Sequence, residues 1–298
     1  MKSLAVVLNA RAGRVRALSA HALLDRVKTA ADWADISVFD AGEDIASAAR
    51  AACASGADAV AIAGGDGTAT SVLSAAREAG CGSLMVPLPL GTANMLPRRL
   101  YGDRGFDAVL AELPGYEPVS LHAGRAADHL FFVALMAGAP VRFGQAREAI
   151  RPGGSGRRLG EAMRRLRQGV SSMAGSRLKL TLEGAEQKVS RSGAVMAAPG
   201  GFSALRSEEA PPARAMISYL VVRPSDPADL ALKTASFITG LPDPGGAAIV
   251  SEQTAVLSGP KHIHLMLDGE VFKATSPVTI SLIKNAAMFA APVGEGGP

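Results

Sequence analysis

Ala59-Val60-Ala61-Ile62-Ala63 is apolar at every position, and Gly64-Gly65-Asp66-Gly67-Thr68 follows at once. A strand with no polar face is one covered on both sides, the situation of a parallel sheet lying between helices. Strand patterns at residues 4–8, 36–39 and 84–88 surround it. Helical patterns at 17–29, 45–54 and 68–79 fall between them. Short strands separated by helices of this length are βαβ units.

After about residue 114 the pattern changes. Strand patterns at 119–122, 130–136, 178–182, 194–198, 217–222, 247–257, 263–267 and 278–283 come with less helix between them, and helices are predicted near 156–168 and 227–239. Alternation is clear in Arg177-Leu178-Lys179-Leu180-Thr181-Leu182 and in His262-Ile263-His264-Leu265. The fold class is therefore α/β plus mostly β. An N-terminal parallel-sheet domain spans 1–115, and an antiparallel β-rich domain spans 116–284. The 298 residues, 48% hydrophobic and 19% charged, suffice for two buried cores.

The glycine segment carries the strongest chemical signal. Phosphates need backbone N–H groups aimed at one point, and glycines allow that approach and the positive φ angles it can demand. The following helix adds a positive N-terminal dipole, which Thr68 can cap while offering a hydroxyl. Asp66 is too acidic to face a phosphate, so it either orients the loop or holds a cation. Pro89-Leu90-Gly91-Thr92-Ala93-Asn94 follows the next buried strand. Loops at the carboxyl ends of neighbouring parallel strands converge on one crevice, so Gly91, Thr92 and Asn94 would face the same site. Alone, that segment is an ordinary turn before an Asn-capped helix.

Asn9-Ala10-Arg11-Ala12-Gly13-Arg14 closes the first strand at the same edge. Arg11, Arg14 or Arg16 could meet phosphate oxygens, although a plain surface turn explains the segment equally well. Near the C-terminus, Asp268-Gly269 suits a type I′ hairpin turn, and Glu270 places a second carboxylate beside Asp268. A phosphate site elsewhere in the chain gives that pair a possible use, since phosphoryl transfer needs a carboxylate to take the proton of the attacking hydroxyl.

These segments, in this order and spacing, resemble the diacylglycerol kinase catalytic-domain family, which includes bacterial lipid kinases and sphingosine kinases. The resemblance spans nearly the whole chain. It implies an N-terminal domain similar to those of phosphofructokinase and NAD kinases that binds ATP with Mg²⁺. It also implies a C-terminal domain that takes the lipid, with residues 285–298 returning to the first domain. Asn9, Arg11, Gly13, Gly64, Gly65, Asp66, Gly67, Thr68, Gly91, Thr92 and Asn94 would form the nucleotide site, Glu270 would be the general base and Asp268 would stand beside it. Ala10 and Ala12 replace a Pro and a Ser of the family's first turn, and Met95 stands where Asp often follows. Arg214-Ala215 occupies the place of an Asp-Gly that holds magnesium, leaving Glu208 or Glu209 as substitutes.

Arg142, Arg147, Arg151, Arg157, Arg158, Arg164, Arg165 and Arg167 crowd one region, readable as a contact with an anionic membrane or as a solvated helix. The two cysteines, Cys53 and Cys81, are too few for a disulfide framework, and a reduced, cytoplasmic location at or near the inner membrane face is expected. No segment has the roughly 20 apolar residues of a membrane span. Aromatic residues at 4% argue against stacking platforms for nucleic acid. A homodimer is open. The alternatives are a relative that binds nucleotide or lipid without catalysis, prompted by Arg214, and a NAD kinase-like enzyme, prompted by the shared glycine segment.

Overall fold

The computed structural model describes residues 1–91, 94–138, 141, 178–182, 188–192, 194–200, 215–222 and 247–292. The strands and helices among them are β1 (Ser3–Leu8), α1 (Gly13–Leu18), α2 (Ala20–Ala30), β2 (Asp35–Asp40), α3 (Ile45–Ala54), β3 (Ala59–Ala63), α4 (Asp66–Glu78), β4 (Leu84–Pro87), α5 (Met95–Tyr101), α6 (Phe106–Glu112), β5 (Glu117–Ala126), β6 (His129–Phe131), β7 (Leu135–Gly138), β8 (Leu178–Leu182), β9 (Lys188–Ser192), β10 (Ala194–Pro199), β11 (Ile217–Val222), β12 (Ala247–Glu252), β13 (Thr254–Ser258), β14 (His262–Leu267), β15 (Glu270–Thr275) and β16 (Val278–Ala291). They divide into two compact units, one of Met1–Ala123 with the chain from Ile283 onward, the other of the described residues between Gly124 and Leu282.

In the first unit the strand order is β2-β1-β3-β4-β16, and every pairing is parallel. All five residues of β3 are buried, as its lack of a polar face requires. Leu4, Val6, Leu8, Ala59, Ala61 and Ala63 pack with Leu23 and Val27 of α2 and with Val109 and Leu110 of α6. Arg26 of α2 pairs with Asp107 and stacks on the Phe106 ring, 4.4 Å from its centroid, joining α2 to α6. The single helix expected at 17–29 is broken at Ser19, whose φ of 61° stops α1 while its Oγ accepts from Ala22 N to start α2.

The second unit is antiparallel. One sheet runs β12-β11-β10-β7-β14-β15, and β13 pairs with β8 and with the first residues of β16. Its core alternates along the strands, with Leu178, Leu180 and Leu182 of β8 joined by Val195, Ala197, Tyr219, Leu257 and Leu265. Two predicted strands each prove to be two. The stretch 247–257 divides at Gln253, because β12 pairs with β11 while β13 pairs with β8 and β16. The stretch 130–136 divides because Phe131 pairs with β5 and Leu135 with β10 and β14. Together the units are the α/β plus antiparallel-β architecture expected from the sequence. The helices predicted near 156–168 and 227–239, the arginine-rich residues 142–167, Glu208, Glu209 and Arg214 lie outside the described residues.

The cysteines differ from expectation. Cys53, one residue from the end of α3, and Cys81, two residues beyond the C-cap of α4, form a disulfide with their Cα atoms 5.3 Å apart. The packing of α3 beside α4 brings the two chain ends together, so cysteine usage no longer argues for a reducing compartment. Among the described residues, no helix is long and apolar enough to cross a membrane.

Candidate functional site

The glycine segment leaves β3 and enters α4 within three residues. Gly65 is the N-cap, extended at φ −93° and ψ −177°, with no side-chain capping bond. Thr68 therefore does not cap. It lies in the first turn with 6% exposure and accepts a hydrogen bond on Oγ1 from Asn9 Nδ2 at 2.9 Å. Nor do Gly64, Gly65 and Gly67 have positive φ. What Gly64 supplies is space: a Cβ there would lie 2.5–2.6 Å from Thr68 Cβ, Cγ2 and Oγ1. The expectation of left-handed glycines gives way to one of close packing between the end of β3 and the first turn of α4.

Asp66 joins this loop to the next. Its Oδ1 accepts from Met95 N at 2.9 Å and its Oδ2 from Asn94 N at 3.1 Å. The side chain that caps α5 thus comes from 29 residues upstream. Asn94, expected to cap that helix itself, is left-handed at φ 48° and makes no side-chain cap; its Nδ2 donates to Pro89 O at 3.3 Å. A Cβ on Gly91 would come within 3.0 Å of Asn94 Oδ1 and 3.2 Å of both Asp66 Oδ2 and Gly65 Cα. The two loops touch backbone to backbone, and any side chain at Gly91 would push Asn94, Asp66 or Gly65 aside by a few tenths of an ångström. Burial pushes the Asp66 carboxyl above its ordinary value, opposed by the amides of Met95 and Asn94 that favour the anion. Of the two parts read for Asp66, orienting the loop is the one this geometry supports. Among the described residues no three His, Cys, Asp or Glu side chains gather as a metal site.

The first turn joins the same cluster through Asn9. Its backbone N–H donates to Ala63 O at 2.9 Å, locking the end of β1 to the end of β3, and its Oδ1 accepts from Arg11 N at 3.1 Å. The Arg11 guanidinium turns to Glu43 at 2.7 Å, both side chains being exposed. Gly13 is the first residue of α1. Thr92 lies outside the described residues. The end of β1, the glycine loop and the loop after β4 are therefore held together by Asn9 and Asp66.

Asp268 and Glu270 belong to the second unit. Asp268 (φ 47°) and Gly269 (φ 93°) are both left-handed, as a type I′ turn between β14 and β15 requires. Asp268 is 3% exposed and accepts from Phe132 N at 2.6 Å and from Val133 N and Ala134 N at 2.8 Å. This carboxylate holds the link between β6 and β7. Glu270 is exposed and opens β15 opposite Leu267.

Residues 3–124 match the family model described as the diacylglycerol kinase catalytic domain. Over the whole chain the fold is similar to that of a diacylglycerol kinase from Bacillus anthracis str. Sterne, at 15% identity over 97% of each chain with a TM-score of 0.64. A structure of a proposed diacylglycerol kinase from the same organism aligns at 16% identity, again over 97% of each chain, with a TM-score of 0.67. The glycine loop, the Asp66 clamp and the Asn9 turn all fall within residues 3–124, and the match of those residues to the diacylglycerol kinase catalytic-domain model supports a kinase.

Proposed function

We propose that this chain is an ATP-dependent lipid kinase that transfers the γ-phosphate to a hydroxyl of a diacylglycerol-like lipid, with Glu270 as general base. The observation that carries the proposal is the interlocking of the two loops through Asp66. It holds Gly65 and Gly91 in contact and leaves their backbones, rather than side chains, to line the end of the sheet. A polyphosphate needs such an approach to the main chain, and the dipole of the 13-residue α4 favours the anion. Glycines whose Cβ positions are already filled by neighbours, together with the Thr68 hydroxyl, fit a nucleotide phosphate.

Asp66 engages both oxygens with the amides of Asn94 and Met95, which makes it the residue that orients the loops beneath the phosphates. Phosphoryl transfer depends on positioning and on a group that accepts the proton of the attacking hydroxyl. An exposed carboxylate at the start of β15, on a hairpin pinned by Asp268, suits that acceptor. A lipid acceptor, a peripheral approach to an anionic membrane through residues 142–167, a cytoplasmic setting and a homodimer complete the reading as proposals.

The test is transfer from γ-labelled ATP with Mg²⁺ to a panel of lipids, with NAD included, using wild type and Glu270→Gln. Labelled lipid from wild type, reduced 100-fold or more in Glu270→Gln with ATP binding intact, is the expected result. Label in NADP would replace the proposal with a NAD kinase. Near-full rate in Glu270→Gln would remove Glu270 as the base.

A further inference from the structure

Asn9 and Thr68, 59 residues apart, meet through one hydrogen bond whose direction is determined. An amide side chain can be turned either way about its axis, exchanging oxygen and nitrogen. Here the exchange is ruled out, because Arg11 N–H points at one end of the Asn9 amide at 3.1 Å and that end must be the acceptor. The other end is therefore the NH₂ group, and it faces Thr68 Oγ1 at 2.9 Å. Thr68 Oγ1 is the acceptor in this bond. Its own hydroxyl proton has no acceptor among the described residues, although the side chain is 6% exposed. Packing against Gly64, where a Cβ would lie 2.5–2.6 Å from three Thr68 atoms, leaves the side chain little freedom to turn away.

We infer that Asn9 is a positioning residue that, by filling one acceptor site of the Thr68 hydroxyl, turns its proton away from the Asn9 amide and leaves it for a ligand oxygen such as that of a phosphate over the glycine loop. The inference rests on the nucleotide reading and deepens it. The two bonds of the Asn9 amide, Oδ1 with Arg11 N and Nδ2 with Thr68, are both internal to the loops, and one N–H of Nδ2 remains beyond them. In water a hydroxyl offers donor and acceptor equally. With one acceptor site filled by Asn9, the hydroxyl is biased toward donation before an anion arrives, so the ligand has less to reorient on binding. The ligand class is an oxyanion, and a carbonyl or ammonium group gains less from this arrangement.

The test is a double-mutant cycle on ATP binding, followed by titration calorimetry, with thermal unfolding of each variant measured alongside. Thr68→Val removes the donor at nearly constant volume and should weaken ATP about tenfold or more, the usual worth of a hydrogen bond to a charged group. Asn9→Ala should weaken it by a similar factor. The double variant should bind no worse than Thr68→Val alone, and Thr68→Ser should bind like wild type while remaining sensitive to Asn9→Ala. Should Asn9→Ala fail to fold, Asn9→Asp retains the acceptor for Arg11 N but takes the Thr68 proton for itself. Its loss of ATP affinity should then be larger in the Thr68 protein than in the Thr68→Val background, where only its added charge acts. Losses that multiply in the double variant would mean that Asn9 touches the nucleotide directly, overturning the inference and leaving the kinase reading intact. Absence of ATP binding by the wild type would overturn both.

Discussion

Asp268 and Ala134 hold each other from both sides: Ala134 N donates to Asp268 Oδ1 at 2.8 Å, and Asp268 N donates to Ala134 O at 2.9 Å. With the amides of Phe132 and Val133 on the same carboxylate, one buried side chain fixes a non-helical turn from more than 130 residues away. Asp268→Ala would leave three amides without this acceptor, each worth about 1–3 kcal/mol when stranded in the interior. The expected loss, after partial relaxation, is about 3 kcal/mol or more in chemical denaturation. A loss below about 1 kcal/mol would show that the turn finds other acceptors. Because Glu270 follows two residues later, turnover should fall with stability.

Gly64→Ala forces a Cβ into the space of Thr68. Overpacking of this kind costs about 1–3 kcal/mol. The accommodation must move Thr68 or the first turn of α4, so ATP affinity should drop at least as sharply as thermal stability. Full ATP affinity in a folded Gly64→Ala protein would mean that the close approach serves packing alone.

Tyr116 gives the first unit an alkaline limit. Its ring stacks on Tyr101 with centroids 5.9 Å apart, and its hydroxyl bonds to Glu112 Oε2 at 3.2 Å. Burial, and then the Glu112 charge, pushes its phenol up to about 12. The unfolded phenol ionises near the ordinary 10, so between these values the folded state holds the proton that the unfolded state has lost. Stability from this group is complete below pH 10 and falls as pH rises toward 12. Tyr116→Phe should flatten the fall of melting temperature with pH in that window, compared with wild type in matched buffers. An unchanged slope would assign the alkaline loss elsewhere.

The Cys53–Cys81 bond closes a loop of 28 residues. Constraint of the unfolded chain by a loop of that length is worth about 3–4 kcal/mol in the entropic account. Reduction, or Cys53→Ser with Cys81→Ser, should lower the unfolding free energy by about that amount. The bond lies beyond the C-terminal end of α4, about 20 Å of helix from the glycine loop at 1.5 Å per residue, so ATP affinity should change little. A large loss of ATP binding in the folded, reduced protein would contradict that separation.

Much of the first unit was legible because its signals are local. An all-apolar run such as Ala59–Ala63 needs no partner to declare that both faces are covered, and the glycine segment declares a turn wherever it sits. The second unit was less so. Alternation in Leu178–Leu182 and His262–Leu267 marked strands, but nothing in 247–257 says that the chain changes sheets at Gln253. The strands β9 and β15 and the helix α6 were missed, and α5 was expected with Asn94 as its own cap. Helix α5 starts at Met95 with no capping side chain of its own, since its cap is Asp66.

The sequence by itself determined the fold class, the order of the elements in the first unit and the segments from which the candidate site is made, because periodicity, glycine and apolar runs act over a few residues. Only the tertiary structure decided what those residues do. Asp66 became the cap of α5, Asn9 the partner of Thr68, Asp268 the anchor of the turn at 132–134, and Cys53 the partner of Cys81. Each of these side chains satisfies its hydrogen bonds or valence with atoms 28 to 136 residues away. The choice of partner is made by which strand ends and helix ends the packing brings within about 3 Å for a hydrogen bond, a distance that local sequence does not encode.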